Sequence, residues 1–266
     1  MLTEAQCRAR DGKLTASRVG VLMSGDAAAI YALWREMIGD PDYKPEDLSD
    51  VWAVQLGSCT ENLNLDWYER RTGRSVTRRG DVVVHPTLPW AAATLDGWDE
   101  AMPGPVEAKH VNGFSKVPDV VTRYQPQVHW QMLVTGAEAI CLSVIIGASE
   151  PERETIALDR VYADELMARA QVFWSCVETL TPPVALPAVA APVLPEALRT
   201  VDMTGSNAWA DAAARLLAHH AAAKSFDAAI KDIKTLIAPD VKLAYGHGIK
   251  ASRAKNGAVK ITEVTP

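Results

Sequence analysis

No run of about eighteen apolar residues occurs in this chain, so no segment is expected to cross a membrane as a helix. The opening residues, MLTEAQCRARDGK, hold no hydrophobic stretch, and secretion through a signal peptide is not expected. Cysteine is scarce. Cys7, Cys59, Cys141 and Cys176 stand singly with no CxxC pair, a pattern of reduced thiols in a cytosolic protein rather than a disulfide framework. An iron–sulfur cluster, which needs several closely spaced cysteines, is not expected either. Overall positive charge is also lacking. The net charge of −6 gives no general attraction to a polyanion.

What is present is an ordinary globular composition, with 266 residues, 48% hydrophobic and 23% charged, enough for one sizeable core and a smaller unit. The charge is uneven. Residues 69–79 hold Arg70, Arg71, Arg74, Arg78 and Arg79 against Glu69, and residues 241–260 hold Lys242, Lys250, Arg253, Lys255 and Lys260 with no acid. Either run can be a solvated face, and either can give an acidic protein a local surface for nucleic acid.

The most informative stretch is TLDGWDEAMPGPVEAK, residues 94–109. On a strand, alternate side chains share a face, so Glu107 and Lys109 point one way while Val106 and Ala108 point the other. If the loop 97–105 folds the chain back, Asp96 comes to lie beside Glu107. Two carboxylates and an ammonium then converge on one patch. Carboxylates suit Mg²⁺, and a lysine there can polarise a water or hold a phosphate oxygen. The pattern alone is short, and an exposed salt-bridged hairpin also satisfies it. Its context therefore decides.

Upstream, GSCTENLNLDWYERR (57–71) reads as the start of a helix, with Thr60 as N-cap and Leu63, Trp67 and Tyr68 on the apolar face. Glu61 falls in the first turn, where the helix dipole favours an anion. Residues 81–95, DVVVHPTLPWAAATL, read as a strand, a turn and a second strand ending at Asp96. Downstream, TRYQPQVHWQMLVTG (122–136) places Gln127 one turn before Gln131 on one helical face.

The ordered pieces Gly57–Glu61, His85–Gly97, Glu107–Lys109 and Tyr124–Gly136, with RDGKLTAS at Arg10–Ser17, resemble the YqaJ-type viral recombinase family, the group of phage lambda exonuclease. The resemblance spans roughly residues 8–181. It implies an α/β, restriction-endonuclease-like PD-(D/E)XK core, a mixed sheet flanked by helices. It implies Asp96 and Glu107 as metal ligands, with the Ala108 backbone carbonyl and Glu61 beside them. Lys109 becomes the water-activating lysine, Gln127 the motif glutamine, and Arg10 and Ser17 the grip on a 5′-phosphate. The activity implied is 5′-to-3′ digestion of double-stranded DNA ends with Mg²⁺, or Mn²⁺ in its place, leaving 3′ single strands for an annealing protein. A homo-oligomeric ring and a phage or prophage origin in a bacterial cytoplasm are implied with it. Thr94-Leu95 stands where the family usually has Ser-Pro, and His110-Val111 where it often has Cys-Pro. An endonuclease or repair nuclease on the same core, and a non-catalytic DNA-binding protein, are the alternatives.

Along the chain, helices are expected at 15–39, 51–72, 120–135 and 163–179, with strands near 82–85, 90–96, 105–110, 140–146 and 153–158. The nuclease-like domain would occupy 1–181. A Pro/Ala-rich linker follows at 182–198, where recurring prolines forbid a regular helix. Residues 199–266 would form a long helix from Ser206 or Asn207 to about Ala238, with Trp209, Leu216 and Phe226 on its stripe, then a basic β-hairpin turned on Asn256-Gly257.

Overall fold

In a computed structural model of the chain, residues 4–192, 202–254 and 257–264 are described. They fall into two compact units, Met1–Leu198 and Arg199–Pro266. The first unit begins with α1 (Glu4–Arg10), β1 (Leu14–Thr15), α2 (Ala16–Ser24), α3 (Ala27–Met37) and α4 (Trp52–Thr72). Then come β2 (Val76–Thr77), β3 (Val82–Val84), β4 (Ala91–Thr94), β5 (Gly97–Asp99) and β6 (Gly104–Val111). It ends with α5 (Val117–Thr135), β7 (Ala139–Ile146), β8 (Glu152–Ala157) and α6 (Arg160–Glu178).

The strands form two sheets, β1-β4-β3 and β2-β5-β6-β7-β8. β6 and β7 run parallel and all other pairs in the larger sheet are antiparallel. A parallel pair needs a crossover, and α5 supplies it. That helix is buried on nearly every side, through Val120, Val121, Val128, Trp130, Met132 and Val134. Trp130 donates its indole N–H to the Ala92 carbonyl at 2.9 Å, which ties α5 to the smaller sheet. Leu65 and Tyr68 of α4 cover the opposite face of the larger sheet with Val106, Ala108 and Cys141.

Several expectations need correction. The helix expected over 15–39 is two helices, because Gly25 turns the chain at φ 73° and Asp26 caps α3 by accepting N–H bonds from Ala28 and Ala29. The strand expected over 90–96 is β4 and ends at Thr94; the loop expected over 97–105 carries a further strand, β5, in the other sheet, with Leu95 and Asp96 at the crease between the two. Gly97 is required there, since a Cβ would stand 2.2 Å from Val76 Cγ1. Thr60 is not an N-cap. α4 starts at Trp52 and carries Gly57 inside it, so Glu61 has no first-turn position and the Thr60 hydroxyl bonds back to the Leu56 carbonyl at 2.8 Å. The buried face of α4 holds Asn64, Leu65 and Tyr68, and Leu63 faces solvent.

Residues 182–192 have no regular structure and lie as a strap on the first unit. Val189 donates its N–H to the Met23 carbonyl at 3.0 Å, and Arg169 donates to Pro187 O at 2.8 Å and Leu22 O at 3.1 Å. The remainder of the expected linker, to residue 198, lies outside the described residues.

The second unit holds α7 (Asn207–Thr235), capped by the Ser206 hydroxyl, and the antiparallel strands β9 (Leu243–Gly246), β10 (Ile249–Arg253) and β11 (Val259–Glu263) in the order β11-β10-β9. The expected hairpin is thus two strands of a three-stranded sheet; Asn256, half of its expected turn, lies outside the described residues. None of the residues of α7 is buried.

Candidate functional site

The site is assembled where the crease meets β6. β5 pairs with β6 in the register Gly97↔Val106, which brings Asp96 alongside the Glu107–Ala108 segment. The Ala108 N–H donates to Asp96 Oδ2 at 2.8 Å, so the backbone of β6 itself fixes the aspartate. Glu107 is almost wholly buried. Its Oε1 accepts from Lys109 Nζ and from Gln127 Nε2, and its Oε2 accepts from Gln131 Nε2 at 2.6 Å. Lys109 Nζ also stands 4.9 Å over the Tyr124 ring, a cation–π contact. Helix α5 therefore lays three side chains of one face, Tyr124, Gln127 and Gln131, against the acid–lysine pair.

Asn64, on α4, ties the other side. It donates to the Ser143 carbonyl at 2.9 Å and the Lys109 carbonyl at 3.3 Å, and accepts from the Ser143 hydroxyl at 2.6 Å. Glu61 lies one turn earlier on α4. It is within electrostatic range of Glu107 and Lys109, with no direct contact to either. His110, in the position flanking the lysine, shares a hydrogen bond with Thr60 Oγ1 at 3.1 Å and another with the Gly147 carbonyl at 2.8 Å.

The electrostatics follow from burying like charges together. Burial raises the Asp96 carboxyl well above its ordinary range, Glu107 pushes it further, and Lys109 opposes both. Burial and Glu107 raise Glu61 in the same direction. Burial pulls the Lys109 ammonium down, but Glu107 and Asp96 outweigh it and hold the group above its ordinary value. Lys109 is thus a fixed cation. Among the described residues, no three Asp, Glu, His or Cys side chains close round one point. The acid pair nevertheless fits a hard ion that keeps much of its own water, as Mg²⁺ does on one or two carboxylates. Two desolvated carboxylates need a compensating charge, and among the described residues no hydrogen-bond donor reaches Asp96 Oδ1.

A second group lies at the start of α2. Arg10 Nη2 is 3.4 Å from Thr15 Oγ1 and 3.4 Å from Ser17 Oγ, and those two hydroxyls are 3.4 Å apart. Thr15, the N-cap of α2, makes no side-chain capping bond; uncapped first-turn N–H groups are the kind that can serve a ligand oxygen. Parallel pairing of β1 with β4 sets Thr15 opposite Ala92. Asp96 follows four residues after Ala92, just past the end of the same strand.

Strand alternation and a short chain return pointed to Asp96, Glu107 and Lys109, and the family resemblance to Gln127 and Glu61; the first four meet, and Glu61 stands off. The resemblance also pointed to Arg10 and Ser17, and these meet as well. Gln131, Tyr124, Asn64 and Thr15 were not assigned to the site. The i, i+4 spacing of Gln127 and Gln131 carried the signal for one of them; the other three depend on tertiary packing. The arginine run is largely spent on ion pairs: Arg71 with Glu150, Arg74 with Asp99, Arg78 with Asp81, and Arg79 with Asp66 and Glu69. Arg70 makes no ion pair among the described residues and lies over Trp67 with Arg71. In the second unit Arg253 is likewise committed, donating to the carbonyls of Ile237, Ala238, Val241 and Gly257.

A creased pair of sheets, a crossover helix and an acid–lysine strand define an α/β nuclease fold of the restriction-endonuclease-like PD-(D/E)XK type. Residues 7–138 match the YqaJ-like viral recombinase domain, so that stretch of the chain carries the domain of the YqaJ-type family. Among solved structures it is similar to an alkaline exonuclease, LHK-Exo, from Laribacter hongkongensis, with 25% identity and a TM-score of 0.58 over 67% of this chain and 94% of that one. The complex of LHK-Exo with dAMP matches to the same extent. A phage-related exonuclease from Haemophilus somnus 129PT shares the fold at 10% identity and a TM-score of 0.50, over 63% of this chain and 94% of that one. No curated protein matches the chain. No helix among the described residues is long and apolar enough to cross a membrane.

Proposed function

We propose that this protein is a phage-type exonuclease that digests double-stranded DNA from its 5′ ends and leaves 3′ single strands. The reading is carried by the convergence of Asp96, Glu107 and Lys109 at the crease, with α5 holding Glu107 from both oxygens. Asp96 and Glu107, with the Ala108 carbonyl and Glu61 beside them, would hold Mg²⁺, or Mn²⁺ in its place, which supplies charge neutralisation and an activated water. Lys109, kept charged by its neighbours, holds a scissile phosphate oxygen or orients the attacking water as a point charge. Tyr124 restricts where that ammonium can go. Gln127 and Gln131 fix Glu107, and Gln127, the more exposed of the two, can turn to a phosphate oxygen. Arg10, Thr15 and Ser17, at the uncapped start of α2, grip the terminal 5′-phosphate by charge-assisted bonds.

The nuclease domain is taken as residues 1–181, with 182–198 as linker and 199–266 as a separate extension. The released 3′ strand would pass to a single-strand annealing protein in the cytoplasm of a bacterial host, and the nuclease units would assemble as a homo-oligomeric ring. The decisive experiment digests end-labelled linear duplex with Mg²⁺, comparing 5′-phosphate with 5′-hydroxyl ends and using Lys109→Ala as the blank. Nucleotides released from the phosphorylated 5′ strand, and absent in the blank, are expected. Internal cuts that ignore the ends would favour an endonuclease on the same core. No cleavage, together with no Mg²⁺ or Mn²⁺ binding by calorimetry, would favour a DNA-binding protein.

A further inference from the structure

Helix α7 is about 43 Å long at 1.5 Å per residue, yet none of its residues is buried. Its apolar residues keep a strict spacing of three and four: from Trp209 to Ile237, every core position of that repeat is apolar except His219. A sustained 3.5-residue period is the signature of a helix that coils around another helix, because it holds one seam towards the partner as both supercoil. The last turns of the seam are partly used within the unit, where Ile233 and Ile237 line a groove of about 330 Å³ with Ala244, Ile249 and Ala251. The rest is open: Trp209 is 58% exposed, Leu216 69% and Phe226 60%.

We propose that α7 is a self-association surface, covered by α7 of a second copy of this chain running antiparallel. The seam is complementary to its own reversal. Aligned end to end over 207–235, Leu216 meets Phe226 of the second copy, Ala212 meets the half-buried Ile230, and Trp209 meets Ile233. His219 then faces the small Ala223 instead of a second histidine. A parallel pair would stack tryptophan on tryptophan, alanine on alanine and histidine on histidine, leaving holes between oversized layers. Aromatic side chains of 150–250 Å², with the leucine beside them, offer roughly 300–450 Å² per helix at these exposures. Two such faces bury roughly 600–900 Å², the size of a weak, reversible interface. The contact is isologous, so it closes at two helices.

The test uses the full chain and measures mass by light scattering over a concentration series reaching hundreds of micromolar. The wild type is expected at a higher mass than Leu216→Glu and Phe226→Lys, an exact doubling if the nuclease units are otherwise single. Both positions are solvent-exposed in the unpaired helix, so the folded units should survive, and helical circular dichroism checks this. Combining Leu216→Glu with Phe226→Lys in one chain places opposite charges across an antiparallel seam, and the wild-type mass is expected to return. Equal masses for wild type and both single variants would overturn the proposal. A double variant as dissociated as the singles would overturn the antiparallel pairing. Exonuclease activity is read in parallel and is expected to persist in all three.

Discussion

Asn64→Ala offers the sharpest check of how the site is held. Asn64 is 1% exposed and its amide joins α4 to β6 and β7 through three hydrogen bonds. The roles of its two ends are fixed, because both carbonyl partners can only accept and the Ser143 hydroxyl then donates. Truncation strands that hydroxyl, itself fully buried, and removes one good and one long bond to carbonyls. At about 1–3 kcal/mol for each stranded buried group, the expected cost is roughly 3 kcal/mol. For a unit of this size that corresponds to a fall of about 6–12 °C in melting temperature. Ser143→Ala removes only the hydroxyl and is expected to cost roughly half as much. Since each change orphans the other's partner, the double variant should be less destabilised than the sum by about 1–2 kcal/mol. Duplex digestion should slow in Asn64→Ala, because the same amide steadies the Lys109 backbone and the turn of α4 that carries Glu61. Thermal melts of the four proteins decide the matter. A melting point within about 2 °C of wild type for Asn64→Ala, or strictly additive effects, would refute the reasoning, because a stranded buried hydroxyl and two lost bonds leave no room for either.

Gly25→Ala is expected to destabilise by about 2–4 kcal/mol, since it combines a left-handed φ of 73° with a Cβ 2.6 Å from the Ala188 nitrogen. Gly12→Ala, at φ 62° in open space, should cost only about 1 kcal/mol, and faster proteolysis near residue 188 should accompany the first change alone. His129 tests a pH dependence. Its ring links α5 to the start of α6, sharing a bond with the Gln125 carbonyl and accepting the Asp159 N–H, and burial lowers its pKa. The folded protein keeps the ring neutral while the unfolded chain protonates near pH 6.5, so this contribution is complete above about pH 6.5 and is lost as the pH falls below it. Urea melts of His129→Gln should show a shallower decline between about pH 6.5 and 5; an unchanged slope would remove His129 as the cause.

The site was legible in the sequence where one element carried it. Glu107 and Lys109 share a strand, and strand alternation alone places them together. Gln127 and Gln131 share a helix at one-turn spacing. Asp96 needed only a short return of the chain, which β5 and β6 provide. What was not legible depended on packing between distant elements. Asn64 looked like an unremarkable polar residue, because its partners are 45 and 79 positions away. The span 51–72 matches α4, but Thr60 was read as its cap because it is a good cap type, and the helix runs through it from Trp52. The basic runs read as open charge, yet four of the five arginines in 69–79 have acidic partners drawn from α4, β5, the β7–β8 turn and the residue before β3. Local spacing reports which residues can share a face; it does not report which of them are already occupied.

The parallel pairing of β6 with β7 fixes Glu107 opposite Leu142 and Lys109 opposite Val144. A slip of one residue would turn Val106 and Ala108 towards Gln127 and Gln131, and drive the glutamate and the lysine among Leu65, Tyr68 and Cys141. Such a chain would bury two charges in an apolar layer and would not hold together. The fold is therefore its own inspector: a molecule that has closed this sheet has also aimed its carboxylate and its ammonium, and misassembled copies are removed by instability before they can present a half-built site.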